Sequence, residues 1–97
     1  MRPMHEGFDG QKQRTALSAA EQALRALGTA NADKARKAAT KASDLDQIGI
    51  YSGLAAAVAP LADRLDRGES IGEAGWDSLV ETLGLGPLSG LIDELRS

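Results

Sequence analysis

No cysteine occurs among the 97 residues. That excludes a disulfide framework and thiolate chemistry, and it fits a reducing compartment. His5 is the single histidine. With no cysteine or second histidine near it, it makes a poor metal site, and it reads as a solvated residue. Only carboxylates remain as catalytic candidates, and none shows the Glu-x-x-His spacing of a paired metal site. Neither enzyme activity nor a cofactor is expected. The aromatics are Phe8, Tyr51 and Trp76 alone, so alanine and leucine must fill the core. Each alanine buries little area, which leaves a lone domain a small stability margin. No apolar run approaches the roughly 20 residues of a membrane span. The first ten residues, MRPMHEGFDG, lack the apolar stretch of a signal peptide. A cytoplasmic protein without a membrane partner is the expectation.

The content that is present suits one soluble domain: 42% hydrophobic and 26% charged residues. The net charge of −3 hides an asymmetry. Through Leu45 there are eight bases against five acids, and from Asp46 onward three bases against nine acids. Opposite charge on the two halves favours packing of one on the other, or head-to-tail contacts between copies.

The organising stretch is YSGLAAAVAPLADRL, residues 51–65. Tyr51, Leu54, Val58, Leu61 and Leu65 recur at heptad-like intervals and form one stripe along a helix. The alanines between them let another helix approach closely. Pro60 removes an N–H and crowds the carbonyl of Ala56. Because the stripe passes through it unbroken, one continuous kinked helix is expected, not two.

Around this helix the pattern predicts others. Residues 1–10, with Pro3, Gly7 and Gly10, read as a flexible arm, and 11–97 as a single domain. A first helix is expected from about Gln11 to Leu27, with Gly28 as a left-handed cap. Asn31 can cap a second helix reaching Ser43. Ala35, Ala38, Ala39 and Ala42 form its inward side, and Lys34, Lys37 and Lys41 its basic side. Asp44 or Asp46 is expected to cap the third helix, which ends at Gly68. Ser70-x-x-Glu73 reads as a capping box for a fourth helix, carrying Trp76, Leu79, Val80 and Leu83 and closed by Gly84 and Leu85. Pro87 opens a fifth helix at its first position, with Leu88, Leu91, Ile92 and Leu95 as the apolar face. The fold class is all-α, four to five helices packed as antiparallel hairpins.

Three local resemblances follow. ADKARKAATKASDLD, through Ala35, Ala39, Ala42 and Asp46, resembles one hairpin of a tetratricopeptide-type repeat. That resemblance covers about a third of the chain and implies stacked helical hairpins with a protein-binding surface; no second copy occurs at a fixed period. WDSLVETLGLGPLSGLIDELRS resembles a helix-turn-helix. Its last helix carries Asp93 and Glu94 with only Arg96 as a base, and carboxylates are repelled by a phosphate-lined groove. Asp77-Ser78-Leu79 resembles the site of acyl carrier proteins, where the serine takes a phosphopantetheine arm.

The expected function is a small helical module for protein–protein contact that associates with itself, a dimer being favoured. The alternative is a carrier-like or regulatory domain modified at Ser78. Nucleic acid is not an expected partner: the chain is acidic and the lysine-bearing helix has no aromatic to stack on. Trp76, Leu85 and Leu88 lie near helix ends or in a turn, where a compact monomer tends to leave them part-exposed. They are the expected contacts, with Lys34, Lys37 and Lys41 as the polar ones.

Overall fold

The computed structural model describes residues 3–83, 86 and 88–96, with side chains from Arg14 onward. Among them are five helices: α1 (Pro3–Gly28), α2 (Ala32–Leu45), α3 (Leu54–Asp66), α4 (Gly72–Leu83) and α5 (Ser89–Arg96). The described residues contain no strand, and the protein is a small all-α bundle. α1 packs most extensively on α2, α2 packs on α3, and α1 also touches α3. α4 and α5 pair with each other and close the body against α3 and α1 respectively. Three residues link α1 to α2, so the two run antiparallel.

Alanine dominates the α1–α2 seam. Ala16, Ala20 and Ala23 of α1 and Ala35, Ala39 and Ala42 of α2 are all fully buried. Small side chains let the two axes come near the short end of the usual ~8–10 Å spacing. The larger groups gather on the other side, where Leu24, Leu54, Val58, Leu79 and Ile92 are wholly enclosed.

The helix ends are set differently from the local sequence signals. α1 begins at Pro3, inside the stretch read as an arm; proline is well suited to a first helical turn. At its other end the left-handed residue is Ala30, with φ 61°, not Gly28. The Asn31 N–H reaches the Ala26 carbonyl at 2.8 Å and the Ala30 N–H reaches Leu27 at 3.2 Å. This pair of bonds is a Schellman closure centred on alanine. Gly28 serves space instead: a Cβ there would stand 2.9 Å from Cδ2 of Leu95 on α5. Asn31 caps α2 as expected, accepting the Lys34 N–H at 3.2 Å.

α3 starts at Leu54, not Tyr51. Tyr51 lies in the preceding turn, yet is buried with the stripe. α3 runs through Pro60 as one helix. Pro60 and Ala56 are both exposed, so the carbonyl that loses its partner faces water. At its end Gly68 takes φ +79°, with Glu69 N–H on the Arg64 carbonyl at 2.9 Å. The Ser70 capping box does not form. α4 begins at Gly72, beyond Ser70, and the Glu73 carboxylate turns to Arg96 at 2.6 Å. α5 begins at Ser89. Pro87, Gly84 and Leu85 lie outside the described residues.

Two arginines join neighbouring helices in the same way. Arg36 of α2 meets Asp63 at 2.6 Å and Asp66 at 2.5 Å on α3, with Asp33 at 3.6 Å. Arg96 of α5 meets Glu73 at 2.6 Å and Asp77 at 2.8 Å on α4. In each case one guanidinium nitrogen, Nη2, meets two carboxylates a helical turn apart through charge-assisted hydrogen bonds. Hydrogen bonds donated to Asp66 and then Asp63 raise the Arg36 pKa, and those donated to Glu73 and then Asp77 raise that of Arg96. The first of these clamps joins the basic half of the chain to the acidic half.

Candidate functional site

The loop between α2 and α3 is wound around Asp46. The Asp46 carboxylate accepts the Tyr51 N–H at 3.1 Å, and its backbone carbonyl accepts the Gly49 N–H at 3.3 Å. Gly49 sits so close to both carboxylate oxygens that a Cβ there would clash. The Ser52 hydroxyl donates to the Gly49 carbonyl at 2.7 Å. This winding satisfies backbone groups locally and pushes the apolar side chains outward. Ile48 is 100% exposed and Ile50 47%. Ile50 also helps to line a cleft of about 350 Å³, with Ala16 and Leu17 of α1 and with Asp46, Gly49 and Tyr51. An exposed knob and an apolar hollow thus share one patch.

Sequence reading did not find this patch. Its signal was present in DQIGIYSG, where two isoleucines alternate with glycine outside any helical stripe. The apolar stripe starts at Tyr51, and a helix capped at Asp44 or Asp46 would contain this segment. The residues expected at the surface lie elsewhere. Trp76 is 8% exposed and Leu88 2%, since both belong to the core of the single chain. Leu85 is outside the described residues. Ser78 is exposed within α4, its carbonyl bonded to the Thr82 hydroxyl at 3.0 Å. It does not stand at the helix start.

Lys34, Lys37 and Lys41 are exposed. Together with Gln22, Asn31, Asp33 and Ala38 they line a groove of about 410 Å³ between α1 and α2. A third groove, about 390 Å³, is bounded by Leu27, Leu65, Ile71, Trp76 and Leu95 where the helix ends meet. The side chain of His5 is outside the described set. No three metal-ligating residues cluster among the described residues, and none of their helices is long and apolar enough to cross a membrane.

The chemistry of the patch is that of binding by shape. Burial raises the Tyr51 pKa, with smaller contributions from the charges of Asp46 and Glu21, so its phenol stays neutral well into alkaline solution. Comparison with family models, curated proteins and solved structures returned no match.

Proposed function

We propose that this chain is a small helical module that works by protein–protein contact, and that its partner at the α2–α3 loop is a second copy of itself. One observation carries the reading: Ile48 stands fully exposed on the loop whose Gly49, Ile50 and Tyr51 line an apolar cleft. A patch that holds both knob and hole is self-complementary about a two-fold axis, the arrangement a closed dimer needs. Placing Ile48 of each copy in the other's cleft against Leu17 and Tyr51 removes from water the two large hydrophobics that are exposed among the described residues. The reading includes a cytoplasmic location, which the lack of cysteine fits.

Sedimentation velocity over a micromolar concentration series tests it. In about 1 M salt, where contacts between surface charges are screened, the wild-type chain is expected to move from 10.1 kDa toward twice that mass. Ile48→Asp with Ile50→Asp is expected to suppress this dimerisation while the chain stays folded, since Ile48 is fully exposed and Ile50 half-exposed in the single chain. A mass of one chain at every concentration would overturn the proposal.

A further inference from the structure

α2 and α4 carry stripes of opposite charge and nearly equal length. Lys34, Lys37 and Lys41 span seven residue steps of α2, about 10 Å at 1.5 Å per step. Glu73, Asp77 and Glu81 span eight residue steps of α4, about 12 Å, and all three are exposed. Arg96 offsets one charge of the Glu73–Asp77 pair, which leaves that stripe a net charge of two acids against three lysines. The lysines form no ion pair with a described carboxylate, although Arg36 on the same helix holds Asp63 and Asp66. α2 and α4 do not touch within the chain. The two stripes cannot neutralise each other in one molecule.

We propose that α4 of a second copy docks along the lysine groove of α2, with Glu73, Asp77 and Glu81 against Lys34, Lys37 and Lys41. Ala38, the one small apolar residue of the groove lining, leaves room for a helix to lie against the lysine stems, whose methylenes add apolar cover. The contact joins two different surfaces and is heterologous. Each copy offers its groove to one neighbour and its acidic stripe to another, so copies add head to tail until a ring closes. This interface is separate from the pairing through Ile48 and stands without it.

The test is therefore run in the Ile48→Asp/Ile50→Asp chain, where the apolar patch is disabled. Sedimentation at low ionic strength should still show mass rising with concentration. At about 1 M salt, where the screening length is about 3 Å, it should fall to one chain. Two further sets of changes are made in that background. One is Lys34→Glu/Lys37→Glu/Lys41→Glu. The other is Ala74→Lys/Ser78→Lys/Glu81→Lys, three exposed positions of α4 that leave Glu73 and Asp77 on Arg96. Each alone should weaken association by about tenfold or more, and an equimolar mixture of the two should restore it. Circular dichroism checks that both remain helical, and a Lys→Gln triple replaces the charge reversal if α2 unfolds. A single-chain mass at low salt, association that survives the lysine changes, or a mixture that stays apart would each overturn the proposal. So would salt-sensitive binding of duplex DNA through the three lysines without self-association, which would assign the groove to nucleic acid.

Discussion

Ser43, in the last turn of α2, accepts the backbone N–H of Ala55 in the first turn of α3 at 2.9 Å. The same hydroxyl donates to the Tyr51 carbonyl at 2.9 Å. Gly53, at the N-cap position of α3, has no side chain to supply a cap. A residue twelve positions earlier does the work that Asp44 or Asp46 was expected to do. The start of α3 and the end of α2 are thereby one structural unit.

Removing that hydroxyl leaves a half-buried donor and acceptor without each other's bridge. Ser43→Ala is expected to cost about 1–2 kcal/mol in urea denaturation. Hydrogen exchange should show the Ala55 amide losing protection before amides in the middle of α3. An unchanged midpoint would mean that water replaces the hydroxyl without loss.

Ala30 holds a left-handed backbone at φ 61°, a conformation that costs a residue with a Cβ about 1 kcal/mol. Ala30→Gly should therefore stabilise the domain, by somewhat under ~1 kcal/mol after the added freedom of the unfolded chain is counted. A lower melting temperature in this variant would show that the turn does not hold that angle in solution.

Gly75 sets helix propensity against packing. Alanine there would favour the helix by up to about 1 kcal/mol. Its Cβ, however, would press on Cγ2 of Ile71 and stand 2.9 Å from Cδ2 of Leu61. Ile71 is buried and β-branched, so it has little room to move, and overpacking costs about 1–3 kcal/mol. Gly75→Ala is expected to destabilise on balance. A net gain in stability would show that α3 and α4 sit further apart.

Trp76→Ala should act on stability, not on association. The ring is buried against the chain's own helices, and its loss opens a cavity costing about 3–5 kcal/mol. The urea midpoint should drop steeply, while the folded fraction keeps the wild-type sedimentation behaviour. Normal stability with weakened association would place this ring at an interface.

Tyr51 is the single tyrosine, so phenolate absorbance reports on it alone. Its pKa is raised by burial first, then by the charges of Asp46 and Glu21. A raised folded-state pKa means that its contribution to stability is fully present below the unfolded phenol value near 10. It declines as pH rises from there through the folded value. The denaturation midpoint should fall in that window, and Tyr51→Phe should remove that part of the fall. An ordinary phenol titration would show that the ring is open to water.

Much of the fold was legible in the sequence because amphipathic periodicity is a local property. The stripe through Leu54, Val58 and Leu61 marked the central helix. The alanines at 35, 39 and 42 marked the inward face of α2, and Gly68 and Asn31 marked ends that form where expected. Each signal lies within a few residues of what it specifies. The candidate site was not legible, because exposure depends on what folds back over a residue. Trp76 and Leu88 are covered by helices whose placement no local pattern encodes. Ile48 is uncovered because Asp46 and Gly49 wind the loop outward. The caps followed the same rule. Ser70 and Glu73 carried the capping pattern, but Arg96 claimed Glu73, and Ser43 capped α3 from across the hairpin. Local spacing decided which segments are helical and which faces are apolar. The meeting of residues far apart in the chain decided where helices start, which faces stay open, and which charges remain available to another molecule.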